Sequence, residues 1–152
     1  MAVTESNLWD WLAKARLVLG LDLDMRRVEN AVGIGDPDVE LCYKGAGADI
    51  ELKAARRPAH LTTKLKFGSP MKDDQVEWAV ARLRAGGAHG YLIQVGSGAE
   101  RAIYLVHGNY GRHMLDFGVT EGWLMTYGRR FKDPAEAVKH AVRLHNTREG
   151  AK

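Results

Sequence analysis

Cysteine is nearly absent from this chain: Cys42 stands alone among 152 residues. No internal disulfide can form and no cysteine-based zinc site can be assembled, which suits a reducing cytosolic compartment. Long apolar runs are absent as well. None approaches the roughly 20 residues that cross a bilayer. The first residues, with Glu5 and Asp10, lack the basic-then-apolar pattern of a signal peptide. A cytoplasmic protein that avoids membranes is the expectation. Repeats, low-complexity stretches and dividing linkers are also missing, so the whole of 1–152 reads as one domain of ordinary size. The six histidines include no His-Glu-x-x-His or paired zinc spacing. Gly45-Ala46-Gly47 has no following Lys-Ser/Thr and opens a strand, which argues against a phosphate-cradling P-loop.

The composition, 45% hydrophobic and 27% charged, is that of a globular protein. A net charge of +3 conceals an asymmetry: residues 1–51 hold five Lys/Arg against ten Asp/Glu, and residues 52–152 hold seventeen against nine. An acidic stretch followed by a basic one suits a carboxylate metal site beside a phosphate-binding surface, although solvated surface charge gives the same imbalance.

Periodicity and punctuation outline the elements. Leu8, Trp11, Leu12, Ala15 and Leu19 form one face of a helix over about 6–19, with Gly20 as its stop. Strands are expected near 25–32, 37–43 and 48–54, the last two joined by Lys44-Gly45-Ala46-Gly47. Val39, Leu41, Ile50 and Leu52 fall on one side and the charged residues on the other. A second helix is expected with Ser69 as cap, Pro70 in its first turn, a stripe of Val76, Ala79, Val80 and Leu83, and Gly86-Gly87 at its end. Strands near 91–95 and 102–106 follow. In 108–132 only Trp123 to Tyr127 suggests an element, a strand. The final helix carries Asp133 as cap, Pro134 first and Glu136 third, with Val138, Ala141 and Val142 inward. The expected fold is α/β, an αβββαβ core over about 5–107 with a central mixed sheet flanked by helices. A C-terminal elaboration over about 108–147 ends in a helix.

The chemistry gathers in Gly35-Asp36-Pro37-Asp38 and Glu51-Leu52-Lys53. On a strand, Glu51 and Lys53 share a face. A hairpin centred between Lys44 and Gly45 sets Asp38 opposite Glu51. Carboxylates that close repel unless a cation lies between them, and a hard divalent ion such as Mg²⁺ fits two carboxylates, waters and a phosphate. Such an ion polarises a phosphoryl oxygen and acidifies bound water. Asp36 and Glu40 lie on the Asp38 side of an extended strand, so either is an alternative second ligand. Arg56, Arg57, Lys64 and Lys66 follow the motif and are placed to hold backbone phosphates, with Lys139 and Arg143 able to extend the track.

Pro37-Asp38 followed by Glu51-x-Lys53, on consecutive strands after a helix, resembles the PD-(D/E)XK nuclease motif. Arg27-Val28-Glu29-Asn30, the glycine turn, Pro37-Asp38-Val39 and Ile50-Glu51-Leu52-Lys53 are similar to small stand-alone VRR-NUC-type nucleases, common in phages. The likeness continues through Gln75, Trp78 and Gly86-Gly87, covers about 25–107 and fades beyond. It implies a restriction-endonuclease-like fold and a Mg²⁺-dependent endodeoxyribonuclease, with Mn²⁺ able to substitute. Asp38 and Glu51 would be metal ligands, and the Leu52 carbonyl a third. Lys53 would contact the attacking water or scissile phosphate, and Glu29 would be an additional acid, binding a second metal ion or acting through water. Gln75 would approach from the second helix. The analogy further implies branched DNA such as a Holliday junction as substrate, and hence a homodimer. The alternatives are a less selective restriction-like nuclease and a non-catalytic nucleic-acid-binding protein on the same fold.

Overall fold

The computed structural model describes residues 3–28 and 37–146. In chain order it contains α1 (Glu5–Ala13), α2 (Ala15–Leu19), β1 (Leu23–Arg27), β2 (Val39–Tyr43), β3 (Ala46–Ala55), α3 (Asp73–Arg84), β4 (His89–Val95), β5 (Ala102–His107), α4 (Gly111–Phe117), α5 (Glu121–Tyr127), β6 (Arg129–Phe131) and α6 (Pro134–Ala141). The strands form one sheet in the order β1-β2-β3-β4-β5-β6. Among the described residues only β3 and β4, joined across α3, run parallel; the other neighbours are antiparallel. That is the expected meander, crossover and mixed sheet.

The β2–β3 hairpin sets the register on which the site depends. Lys44 and Gly45 both take positive φ, 50° and 84°, the two-residue turn whose twist matches its strands. Tyr43 then pairs with Ala46 and Val39 with Ile50. A slip of one residue would exchange the two faces of β3. Instead Leu41, Ile50 and Leu52 enter a core under α1, α2 and α6. The opposite face carries Tyr91, Ile93, Tyr104 and Val106 against Ala79 of α3, Met114 of α4 and Leu124 of α5.

Several expectations are corrected. The first helix breaks at Lys14, which caps α1 and precedes α2. The break leaves Leu17 and Val18 in solvent while Ala15 stays in the core. Strand β1 begins earlier than expected, at Leu23, because its pairing runs up to the hairpin, where Lys44 N–H donates to the Asp22 carbonyl at 3.0 Å; of the expected stretch, 29–32 lie outside the described residues. Helix α3 starts at Asp73, not at Ser69-Pro70, since the Ser69 and Pro70 carbonyls accept bonds from the Lys53 ammonium. Val80 is 42% exposed, rotated off the stripe that Val76, Ala79 and Leu83 share. Trp123 to Tyr127 is a helix: Thr120 accepts from Trp123 N–H at 3.0 Å and starts α5 before β propensity can act. Lys139 pairs with Glu136 at 3.4 Å, and α6 packs on the α1 side of the sheet. Lys139 and Arg143 therefore do not continue the basic loop, which lies on the α5 side. The cap of α6 is as expected, Asp133 accepting from Ala135 N–H at 2.9 Å. No helix among the described residues is long and apolar enough to cross a membrane.

Candidate active site

At the C-terminal end of β3 the sheet opens, because β2 begins only at Val39. Asp38 sits in this opening. Its Oδ2 accepts from Leu52 N–H at 2.8 Å, so it is pinned beside the middle of the Glu51-Leu52-Lys53 segment. The N–H and C=O of one strand residue face the same neighbour, and the Leu52 carbonyl therefore also faces the Asp38 side.

Glu51 and Lys53 are fully buried on the α3 face. Gln75, in the first turn of α3, is held twice. Its Oε1 accepts from Lys72 N–H, and its Nε2 donates to Glu51 Oε2, both at 3.2 Å. Glu51 Oε1 is buried and has no hydrogen-bond partner among the described residues. Burial pushes the Glu51 carboxyl up to about 9, the nearby Asp38 charge adds to this, and Lys53 opposes it. Lys53 Nζ donates to the Ser69 and Pro70 carbonyls at 3.0 and 3.3 Å. Burial lowers its pKa, against the pull of Glu51, Glu5 and Asp38.

Sequence reasoning missed Glu5. It stands in the first turn of α1 behind the Thr4 cap, where a glutamate ordinarily serves the helix dipole. In the fold it feels both Asp38 and Lys53. Burial raises its pKa first, Asp38 raises it further, and one of its oxygens is buried without a partner. Nothing in local spacing links residue 5 to residue 38, so only the packing of α1 on β3 could reveal it.

Other expected residues are placed differently. Glu29 and Asp36 lie outside the described residues. Glu40, offered as an alternative ligand, turns to Arg26 at 3.5 Å and is half exposed, so Asp38 and not Glu40 meets Glu51. Asp49, on the same face as Glu51, is taken by Arg82 at 2.8 Å and by the Trp78 indole at 3.5 Å. Arg56, Lys64 and Lys66 are exposed on the loop between β3 and α3. Arg57 is not available to phosphate as expected. Its Nε and guanidinium donate to Glu121 at 2.8 and 3.1 Å and to the Val95 and Glu100 carbonyls. Tyr104 Oη donates to the same Glu121 at 2.8 Å.

Among the described residues no three His, Cys, Asp or Glu side chains form a group that could hold an ion alone. Mg²⁺ needs no such cage, since it binds through one or two carboxylates and keeps several waters. The donors here fit that pattern: acceptor oxygens only, two of them buried and unpartnered, beside a main-chain carbonyl. A depression of about 650 Å³ lined by Asp24, Glu40, Asp49 and Arg82 lies elsewhere and includes none of Asp38, Glu51 or Lys53.

A mixed sheet between helices, with β3 and β4 parallel around one crossover helix, is a restriction-endonuclease-like fold. Among solved structures the chain is similar to Archaeoglobus fulgidus Hjc, a Holliday junction resolvase from an archaeal hyperthermophile, at 20% identity and a TM-score of 0.51. The match covers 88% of this chain and 95% of that one. No protein-family model and no curated protein sequence matches.

Proposed function

We propose that this chain is a metal-dependent endonuclease that hydrolyses phosphodiester bonds in DNA, with branched DNA such as a Holliday junction as its substrate. One observation carries the reading. A buried carboxylate, Glu51, has an unpartnered oxygen beside Asp38 and Lys53, on a fold shared with a junction resolvase. Burying carboxylates together costs stability unless a cation joins them, so the arrangement has a use beyond packing.

Asp38, Glu51 and the Leu52 carbonyl would hold the ion, with Glu5 completing its surroundings through water. When bound, Mg²⁺, or Mn²⁺ in its place, supplies charge to the phosphoryl oxygens and acidifies a water. The protein does the rest. Asp38 is oriented by Leu52 N–H and Glu51 by Gln75. Lys53, fixed on two carbonyls, keeps a proton directed at the attacking water or at a non-bridging oxygen as negative charge grows on phosphorus. Arg56, Lys64 and Lys66 hold flanking phosphates. Paired cuts across a junction call for a homodimer with two such sites related by a two-fold axis.

The test is a panel of end-labelled four-way junction, flap, duplex and single-stranded DNA, incubated with Mg²⁺, Mn²⁺ or EDTA. Metal-dependent internal cleavage, fastest on the junction and lost in Glu51→Gln, is the expected result. A protein that binds DNA equally with and without metal and never cuts it would be a binding protein on a nuclease fold.

A further inference from the structure

Outside the carboxylate site, α4 and α5 carry a continuous run of rings. Phe117 and His113 lie 4.9 Å apart between centroids. His113 stacks on Trp123 at 5.4 Å and 11°, and Trp123 on Tyr127 at 5.0 Å and 30°. Tyr110 closes the group edge-on to Trp123 at 5.5 Å. Tyr110 and Trp123 rest on the core, and from them the run reaches into solvent: Phe117 is 65% exposed, Tyr127 50% and the adjoining Met125 60%. Single exposed apolar side chains are ordinary, whereas a contiguous group marks a contact surface.

Its position and its charge indicate what covers it. Arg112, next to His113, bonds Asp73 at 2.9 Å. Asp73 opens α3 two residues before Gln75, which holds Glu51. The rings thus begin where the candidate active site ends. The basic loop runs directly along them. The Leu61 carbonyl accepts from Gly122 N–H at 3.0 Å, and Leu65 N–H donates to the Val119 carbonyl at 2.7 Å. The Lys64 stem rests on Gly118, where an added Cβ would meet it at 3.0 Å. Arg56, Lys64 and Lys66 on this loop are exposed and make no ion pair with a described residue. Carboxylates beside the rings are already matched, Asp116 by Arg112 at 3.7 Å and Glu121 by Arg57 at 2.8 Å. Exposed rings bordered by unpaired cations, with no uncompensated anion between them, are complementary to a strand whose phosphates meet the cations and whose bases meet the rings. A second copy of this chain would bring the same unpaired cations toward one another across a two-fold axis.

We propose that α4 and α5 form a stacking platform for unpaired or unstacked bases of DNA beside the cleavage centre. This selects DNA with a single-stranded segment or an open branch point over continuous duplex. The proposal rests on the nuclease reading for its substrate and extends it to the selection of structure.

The experiment measures binding of the full chain, in EDTA, to a labelled duplex and to the same duplex interrupted by an unpaired thymidine tract, by fluorescence anisotropy. Phe117→Ala and Tyr127→Ala should each weaken binding to the interrupted DNA by roughly five- to a hundred-fold, the worth of one stacked base. Affinity for the continuous duplex should change by less than about two-fold on the same principle. Tyr127→Phe keeps the ring and should bind like the parent, whereas Phe117→Leu keeps apolar area without a ring and should lose binding like Phe117→Ala. Unchanged binding in both alanine variants, or equal losses on both DNAs, overturns the platform. So does a dimer that sedimentation shows dissociating in Phe117→Ala and restored in Phe117→Leu, which would make this face a self-interface. The nuclease reading is judged separately. Metal-dependent cleavage lost only in Glu51→Gln sustains it whatever the platform does, and absence of cleavage in the parent defeats it.

Discussion

Exchanging Glu51 for glutamine should abolish cleavage and at the same time stabilise the metal-free protein. The folded carboxyl is pushed up to about 9 from an ordinary 4.5, first by burial and then by Asp38. Below pH 4.5 both folded and unfolded chains carry the proton, and the residue contributes no pH dependence. Above it the unfolded chain releases the proton while the folded chain retains it, so stability falls by about 1.4 kcal/mol per pH unit until the folded group ionises. At pH 7 the accumulated penalty is about 3 kcal/mol. Glutamine removes it and keeps an oxygen for Gln75 Nε2. Urea denaturation of parent and variant in EDTA at pH 5 and pH 7.5 should therefore show near-equal midpoints at the lower pH. At the higher pH the variant should have the higher midpoint, with equal slopes. Added Mg²⁺ should raise the parent's midpoint, because the ion favours the ionised carboxylate, and should leave the variant nearly unchanged. A variant less stable than its parent at pH 7.5 in EDTA would refute the electrostatic account of this site. One that still cuts DNA would refute the assignment of Glu51.

Lys53→Ala should lower single-turnover cleavage on the order of 10²- to 10³-fold, as loss of one fixed donor does, while Mn²⁺ affinity by titration calorimetry changes much less. Glu5→Gln should weaken Mn²⁺ binding on the order of ten-fold or more; unaltered affinity would confine Glu5 to the helix terminus. Glu121→Gln breaks the tie to Arg57 and should cost about 2 kcal/mol at pH 7. Because Arg57 holds the Glu121 pKa below 4.5, that contribution exists above the ordinary carboxylate range and is lost as pH falls through the depressed folded value, so parent and variant should converge in acid. Neutralising Arg56, Lys64 or Lys66 singly should flatten the log–log salt dependence of DNA binding by about 0.9 per lost phosphate contact, measured by anisotropy across a salt series, with metal affinity intact.

Local chemistry determined much of this protein from its sequence. The Lys44-Gly45 turn and the alternation of Val39, Leu41, Ile50 and Leu52 set the β2–β3 register, because a two-residue hairpin and a period of two leave a single pairing that buries the apolar set. The convergence of Asp38, Glu51 and Lys53 was legible for the same reason, as was the parallel crossover through α3. Tertiary structure decided what local pattern leaves open. Ser69 and Pro70 have the chemistry of a helix start, but a buried ammonium needed their carbonyls, and α3 begins later. Thr120 overrode the β propensity of Trp123 to Tyr127, and the resulting helix supports the basic loop through Leu61 and the Arg57–Glu121 pair. Arg57, one of four cations expected to hold phosphates, became a strut because Glu121, 64 residues away, was folded against it. Glu5 joined the carboxylates only when α1 packed on β3. Contacts between residues distant in the chain depend on how whole elements pack, and no short-range periodicity encodes them.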